Sequence, residues 1–248
     1  IKNFKIIKKI QFKNIVFNNF VNQQFYQIIK KKGYYTFPSA PGIALINSNK
    51  EYLNSLKNAQ YVFFDSGFFV LLLRFFKNIK VLKFSGYKFL FLFFKFLKLN
   101  RNKSIFCIDP NNQYSKSNKK FLKKIGLKKI YNYVAPKYNL KNLKDDRLLK
   151  EINKKKPDFI MTNIGGGTQE VLAFYLNKKL KRKSIIICTG GAISFFTGDQ
   201  APINNIVDRL YLGWLLRLIF NPLIFIKRYF YALKLIPMVL CNKVIIKK

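Results

Sequence analysis

The stretch FIMTNIGGGTQE at residues 159–170 joins an apolar run of strand character to a glycine-rich turn and the start of a helix. Similar β-branched and aromatic runs alternate with longer stretches of helical spacing along the chain, as in α/β proteins built on a parallel sheet. We therefore predict a Rossmann-like parallel sheet flanked by helices. The predicted strands are residues 61–64, 81–84, 104–108, 129–133, 159–164 and 184–188.

Two further segments predict helices of different character. Helical spacing begins near Phe68 and again after Gly86, and the second helix carries a continuous aromatic and aliphatic run over residues 89–94. A helix that is apolar all round is buried or faces lipid. From Asn204 onward, helical spacing combines basic residues with Trp, Tyr, Phe and Leu. This pattern suits a helix lying at a membrane interface, and an ordinary amphipathic helix that caps the sheet is the alternative.

The change of pattern predicts two parts, an α/β domain over residues 1–200 and a helical, basic and aromatic C-terminal appendage over residues 201–248 that associates with membranes. No apolar stretch reaches the roughly 18 residues needed to span a bilayer. Lysines near the start of the sequence interrupt any signal-peptide core. We therefore expect a protein that is not secreted and that contacts a membrane only from its surface.

The charge of the chain is strongly positive. It carries 47 Lys and Arg against 10 Asp and Glu, a formal net charge of +37. Such a surface binds polyanions, whether nucleic acid, nucleotide diphosphates or acidic lipid. The charge alone does not choose among these, because a lysine-rich composition also follows from AT-rich codon usage.

Histidine and cysteine usage excludes several kinds of site. The sequence has no histidine and three cysteines, Cys107, Cys188 and Cys241, which do not form a metal-binding pair. A zinc site and a Ser-His-Asp triad are therefore excluded. Because the cysteines lie in apolar stretches, they predict buried, reduced thiols of a cytosolic protein.

Asp65 is the candidate catalytic residue. It follows the predicted strand at residues 61–64, and α/β sheets bind ligands at the carboxyl ends of their strands. A carboxylate there can act as the general base that deprotonates an acceptor hydroxyl. The alternative is that Asp65 caps the next helix.

Two glycine-rich turns follow two other predicted strands. Gly165, Gly166 and Gly167 open a helix, where backbone N–H groups can approach a phosphate or a sugar. Gly190 and Gly191 form a second turn at the same predicted edge of the sheet. We expect the two turns and Asp65 to converge on one crevice, whereas two ordinary strand-to-helix turns are the alternative.

These segments belong to a longer pattern in the C-terminal third of the chain. In order and spacing, the pattern resembles the WecG/TagA/CpsF glycosyltransferases over roughly residues 30–235. Its most specific part is Gln169-Glu170 together with the spaced pairs that begin at Arg209, Trp214 and Arg217. The other matching segments are Gly190-Gly191-Ala192, Ala201-Pro202, Asn221-Pro222 and Arg228-Tyr229.

The resemblance implies an inverting, metal-independent glycosyltransferase of surface polysaccharide synthesis that needs no cofactor. The donor would be a UDP-sugar, N-acetylmannosamine-like or related, and the acceptor a polyprenyl-diphosphate-linked sugar. The protein would be cytoplasmic and peripheral on the inner face of the plasma membrane, with an anionic membrane surface as partner. The resemblance also suggests a homo-oligomer in which the appendage of one chain covers the site of another.

The resemblance also implies roles for individual residues. Asp65 falls at the position of the catalytic base, Thr36 and Gln169 near the substrate, and the appendage arginines where diphosphates and the membrane are held. The expected substrate-binding residues are Thr36, Gly165, Gly166, Gln169, Gly190, Gly191, Arg209, Arg217 and Arg228.

The sequence departs from the family pattern around the expected donor pocket. An Asp-Gly-x-Gly motif reads Asp65-Ser66-Gly67-Phe68, an Asn-Pro near Thr36 reads Phe37-Pro38, and a glycine-rich turn reads Asp109-Pro110. Two family aspartates are replaced by Lys88 and Ser194. The donor sugar therefore does not carry over from the family, and the chain either uses another donor or has lost activity.

Two rival functions belong to other classes. The charge and the interleaved aromatics fit a basic nucleic-acid-binding protein, but no zinc-finger or RRM signature is present and the aromatics cluster in apolar runs. We therefore expect no specific nucleic-acid partner. A non-catalytic membrane-surface scaffold is the other rival, and it would tolerate the loss of Asp65 and Gln169.

Overall fold

The computed structural model describes residues 9–199 and 222–247. The strands are β1 (Lys9–Phe12), β2 (Ile15–Asn18), β3 (Gly33–Thr36), β4 (Tyr61–Phe63), β5 (Ser104–Asp109), β6 (Lys129–Val134), β7 (Phe159–Thr162), β8 (Ile185–Cys188) and β9 (Val244–Lys247). The helices are α1 (Phe25–Ile28), α2 (Ala40–Ala44), α3 (Lys50–Lys57), α4 (Gly67–Lys77), α5 (Gly86–Leu99), α6 (Asn112–Lys124), α7 (Asp146–Lys155), α8 (Thr168–Lys179), α9 (Ser194–Thr197), α10 (Pro222–Leu233) and α11 (Leu235–Cys241). Short 3-10 turns lie at Asn22–Gln24, Leu140–Asn142 and Gly190–Ile193.

The nine strands of the described residues form one sheet in the order β6-β5-β7-β8-β3-β4-β2-β1-β9. Neighbours from β6 to β2 are parallel, whereas β1 runs antiparallel to both β2 and β9. Every residue of β5, β7 and β8 is buried, as their continuous apolar runs require of strands covered on both faces. The predicted Rossmann-like α/β fold is confirmed.

Helices cover the sheet on two faces, and each face has its own apolar cluster. Successive residues of β8, Ile186 and Ile187, point into different clusters. On the first face α3, α4, α7 and α8 contribute buried side chains, and on the second α5 and α6 do. All of the run at residues 89–94 except Phe91 belongs to the second cluster, so the apolar helix α5 is a core helix.

Side chains define where many of these helices begin. Five helices start after a residue whose side chain accepts a backbone N–H of the first turn, which satisfies one of the donors that a helix start leaves unpaired. These residues are Asn49, Ser66, Ser85, Asn111 and Asp145.

The topology contains a switch point between β5 and β7. After β5 the chain passes outward to β6, whereas after β7 it passes to β8 on the other side. The two connections therefore diverge, and open α/β sheets bind ligands in the crevice at such a point.

One predicted strand is wrong. Residues 81–84 form no ladder; the N–H of Leu82 donates to Asn19 Oδ1 and that of Phe84 to the carbonyl oxygen of Phe64. The reason is topological, because both edges of β4 are already occupied by β3 and β2. The other five predicted strands are confirmed, with small shifts at their ends.

The described C-terminal residues belong to the same packed body. Helix α10 packs on α2, and α11 packs on both α2 and α4. Leu235 and Val239 of α11 are fully buried in the first cluster, and β9 adds a strand beside β1. The predicted domain boundary at residue 200 stays a prediction.

The cysteine prediction is correct for two residues and wrong for the third. Cys107 and Cys188 are buried and free, whereas Cys241 is exposed, because it ends α11 on the outer side of the helix. Within residues 9–199 and 222–247, no helix combines the length and the apolar character needed to cross a membrane.

Candidate active site at the carboxyl edge of the sheet

The predicted site residues lie along one continuous part of the sheet edge. The turn at residues 165–167 follows β7, Gly190 follows β8, Thr36 ends β3 and Asp65 follows β4. These four strands are neighbours in the order β7-β8-β3-β4 and run parallel, so their carboxyl ends face the same side. With about 4.8 Å between strands, the predicted groups span roughly 15 Å.

Asp65 is half-buried and held by the backbone. Its Oδ1 accepts the N–H of Gly86 at 2.8 Å, at the start of α5. The residue that caps α4 is Ser66, whose Oγ accepts the N–H of Phe69 at 3.1 Å. The alternative role of Asp65 as the cap of the next helix is therefore wrong, and its carboxylate is oriented by a different helix.

Thr36 is completely buried at the end of β3. Its hydroxyl donates to the carbonyl oxygen of Tyr61 at 3.3 Å, across the β3–β4 ladder. The hydroxyl therefore forms a hydrogen bond within the sheet, to β4, the strand that leads to Asp65. A direct contact between Thr36 and substrate stays a prediction.

The turn after β7 presents open backbone at the start of α8. Gly167 lies outside the helix with φ 90°, a conformation that favours glycine, and its N–H donates to Glu170 Oε2 at 2.6 Å. A Cβ added at Gly165 or Gly166 would meet no atom within 4 Å. Internal packing therefore does not demand glycine at these two positions, whereas a ligand that approaches the backbone would.

Gln169 connects the two glycine-rich turns. It is only 4% exposed, and its Oε1 accepts the N–H of Gly190 at 2.8 Å and the hydroxyl of Thr162 at 3.4 Å. Its Nε2 donates to Glu170 Oε1 at 2.9 Å. Gly190 has φ 56°, a conformation that favours glycine, and a Cβ there would lie 3.3 Å from the carbonyl oxygen of Ile164. Gln169 thus fixes one turn against the other, and its predicted contact with the sugar stays a prediction.

Glu170 is a buried acid that sequence reasoning placed in a motif but gave no role. Its side chain is 1% exposed, and burial raises the pKa of its carboxyl to about 7, with a further increase from the charge of Asp65. Tyr52 is also buried, and this burial raises the pKa of its hydroxyl, with Glu170, Cys188 and Asp65 adding to the increase. The candidate base therefore belongs to a group of electrostatically coupled residues behind the sheet edge.

The raised pKa of Glu170 predicts a specific dependence of stability on pH. Between the ordinary carboxyl pKa of 4.5 and the folded-state pKa of about 7, the folded chain binds this proton more tightly than the unfolded chain, so stability falls as pH rises through that window. Between about pH 5 and about pH 8, we expect the unfolding free energy of wild type to fall by about 3 kcal/mol more than that of Glu170→Gln. Urea unfolding at the two pH values measures this difference, and parallel pH dependences of the two proteins would contradict it.

A polar network missed by sequence reasoning lies at the switch point. The carboxyl group of Asp109, at the end of β5, is completely buried. Its Oδ1 accepts hydrogen bonds from Nδ2 of Asn118 and Nδ2 of Asn163, each at 2.7 Å. Its Oδ2 accepts a hydrogen bond from Nδ2 of Asn132 at 2.9 Å. The network joins α6 and the carboxyl ends of β5, β6 and β7. Asp109-Pro110 was recognised only as a departure from the family pattern, because its three asparagine partners are far apart in sequence.

A surface cavity of about 430 Å³ lies above this network. It is bounded by the segments that follow β5, β6 and β7 and by the first residue of α8, and it includes one cation, Lys137. The residues that line it are Pro110, Ala135, Pro136, Lys137, Tyr138, Ile164, Gly165 and Thr168. Its size is in the range of small-molecule sites, and its position is the topological switch point.

Two of the remaining predicted residues, Arg228 and Gly191, lie in the described part of the chain. Arg228 is exposed on α10, the helix that packs on α2, and Gly191 is exposed in the turn after β8. Arg209 and Arg217 lie outside the described residues. Of the departures from the family pattern, Lys88 lies in the first turn of α5, two residues after Gly86, and Ser194 is buried at the start of α9.

Comparison with protein families matches residues 5–248 to a family model described as Glycosyl transferase WecG/TagA/CpsF family. The match covers essentially the whole chain, including the parts without a recognisable motif. The comparison with curated proteins gave no match.

Proposed function

The chain belongs to the WecG/TagA/CpsF family of glycosyltransferases, which act in cell-surface polysaccharide synthesis, and from this premise we propose that it transfers a sugar from a UDP-sugar to a polyprenyl-diphosphate-linked acceptor. The transfer inverts the anomeric centre and uses no metal. The reaction takes place at the inner face of the plasma membrane. The observation that carries the proposal is the carboxylate of Asp65, held by the N–H of Gly86 on the same edge as two glycine-rich turns.

The cavity supports a position for the donor. It opens at the ends of β5, β6 and β7, and Gly165 belongs both to its wall and to the glycine-rich turn beside β8. A nucleotide sugar is an elongated ligand, so its nucleoside fits the cavity while its sugar extends along the edge toward Asp65. In this arrangement the diphosphate crosses the start of α8.

The start of α8 suits a diphosphate. Unpaired N–H groups and the helix dipole give a helix N-terminus a partial positive charge. The open space at Gly165 and Gly166 lets phosphate oxygens approach the backbone. As the bond between the anomeric carbon and the diphosphate oxygen breaks, these donors stabilise the negative charge on the departing UDP.

Asp65 supplies the base on the acceptor side. Its carboxylate takes the proton of the acceptor hydroxyl, whose oxygen forms the new bond to the anomeric carbon on the face opposite the leaving diphosphate. One displacement of this kind inverts the centre. The hydrogen bond from Gly86 orients the carboxylate, and no histidine or metal is required.

A glycine substitution tests the donor position. Because a Cβ at Gly166 has open space around it, we expect Gly166→Ala to unfold at the same temperature as wild type. If a diphosphate lies against this backbone, the methyl group displaces it, and we expect KM for the donor to rise about tenfold. Thermal unfolding and initial-rate kinetics measure the two quantities. An unchanged KM would remove the turn from the donor site.

The overall proposal is tested by a turnover assay. Purified protein in lipid vesicles is offered a panel of UDP-sugars with an undecaprenyl-diphosphate-sugar acceptor, and release of UDP is followed. Release that depends on both the acceptor and one donor supports the transferase and identifies the donor sugar. Silence across a broad panel, with folding and vesicle binding confirmed, favours the non-catalytic scaffold.

A further inference from the structure

Helix α4 exposes large apolar side chains from its middle to its C-terminal end. Leu71 is 36% exposed, Phe75 75% and Phe76 47%. Single exposed apolar residues are ordinary, but three within two turns of one helix form a patch that calls for a partner. The buried side of α4 explains none of them, because it is formed by Phe69 and its neighbours in the first cluster.

A second exposed apolar patch lies on a neighbouring helix of the same face. Leu223, Ile226 and Phe230 of α10 are 91%, 47% and 69% exposed. Helix α11, which follows α10 directly, packs on α4, and Lys77 at the end of α4 donates to the carbonyl oxygen of Leu240 in α11 at 3.0 Å. Helices α4 and α10 therefore cover the same face of the sheet, and both leave large apolar side chains exposed there. We call them the apolar surface: Leu71, Phe75, Phe76, Leu223, Ile226 and Phe230.

Cations accompany this surface. Arg74 is exposed on α4 beside Phe75, and Lys227 and Lys234 are exposed on and just after α10. Aromatic rings flanked by Lys and Arg are typical of surfaces that insert into the headgroup region of anionic membranes. A second copy of this chain is a poorer partner, because it would bring the same cations, from a chain of net charge +37, against one another.

We propose that α4 is a membrane-docking element of this protein, acting together with α10. The inference rests on the proposed function, since a lipid-linked acceptor brings the enzyme to a membrane. It extends the membrane contact from the C-terminal residues into the α/β domain. Helix α4 starts at Gly67, two residues after Asp65, so the element that meets the lipid is joined directly to the loop of the candidate base.

The test is vesicle co-sedimentation of the full chain carrying Phe75→Ser and Phe76→Ser. On vesicles with phosphatidylglycerol we expect this double variant to bind about tenfold more weakly than wild type. The matched control is Tyr26→Ser, which removes an aromatic ring that is 56% exposed and packs against Phe25 of the second cluster. We expect the control to bind like wild type, and both variants to unfold at the wild-type temperature.

Three outcomes would overturn the proposal. The first is wild-type binding by the double variant, and the second is an equal loss in the Tyr26→Ser control. The third is a wild-type dimer in lipid-free sedimentation that the double variant converts to monomer, which would assign the surface to a second copy. These vesicles contain neither donor nor acceptor, so docking is measured independently of sugar transfer. Docking here together with silence in the turnover assay would refute the proposed transfer and leave this inference standing.

Discussion

Replacing Asp65 with Asn is expected to lower the turnover of sugar transfer about a thousandfold, the usual contribution of a general base. Asn has nearly the same shape, and its carbonyl oxygen can still accept the N–H of Gly86 that holds Asp65 Oδ1 at 2.8 Å. It cannot take a proton from the acceptor hydroxyl. We therefore expect thermal stability and donor binding to stay at wild-type levels while kcat falls.

The matched control is Asp146→Asn, which changes an exposed aspartate in the first turn of α7. We expect this variant to keep wild-type turnover. Steady-state kinetics with saturating donor and acceptor separate kcat from KM. An Asp65→Asn enzyme with wild-type kcat would remove Asp65 from the role of base and direct the search to Glu170, the other acid of the coupled group.

Replacing Asp109 with Ala is expected to destabilise the protein by about 4 kcal/mol, because it leaves the buried amides of Asn118 and Asn163 and the half-buried amide of Asn132 without the acceptor they share. Asn118, Asn132 and Asn163 all donate to its carboxyl group. The network holds the carboxyl ends of three strands and α6, so its loss also loosens the floor of the cavity. Urea unfolding measures the change in free energy.

Asp109→Asn should cost much less than Asp109→Ala. The new Nδ2 group of Asn at position 109 would face the Nδ2 donor of a neighbouring asparagine. However, the side-chain oxygens of Asn118, Asn132 and Asn163 have no hydrogen-bond partner among the described residues. One of these amides can rotate and present its oxygen instead. We expect Asp146→Ala, an exposed change, to cost about 0.5 kcal/mol or less. Equal losses for Asp109→Asn and Asp109→Ala would contradict this account of the network.

The predicted and observed sheets differ where the local sequence pattern does not show which strands will pair. Residues 81–84 have the composition of a strand, but the edge of β4 that they would join is taken by β2. The hairpin of β1 and β2 was not predicted, since its turn places Lys13 and Asn14 at φ 50° and 61° rather than using the usual Asn-Gly. Strands β5, β7 and β8 were predictable because complete burial makes them continuous apolar runs, whereas the equally buried β3 is a short segment that begins at Gly33 and was not predicted.

The candidate site likewise contains residues that local sequence predicts and residues that it does not. Asp65 and the glycine-rich turns follow strands directly, so parallel topology alone predicts that they share an edge. The Asp109 network depends on contacts with Asn118, Asn132 and Asn163, which lie 9, 23 and 54 residues further along the chain. In a sequence rich in asparagine, no local spacing marks these three. The hydrogen bond between Gln169 and Gly190 was equally unpredictable from the sequence, because Gly190 lies in the turn after a different strand, β8.

Strand β9 has a consequence for the order in which the molecule can be completed. It pairs residues 244–247 with residues 9–12, so the first hairpin of the sheet acquires its outer partner only after nearly all of the described chain has been synthesised. Until then β1 is an exposed edge strand, the kind of surface on which chains aggregate. Helices α10 and α11 immediately precede β9 and arrive at the same late stage. During synthesis, therefore, the nascent protein carries an open edge and lacks half of its apolar surface, and both are completed in one final step.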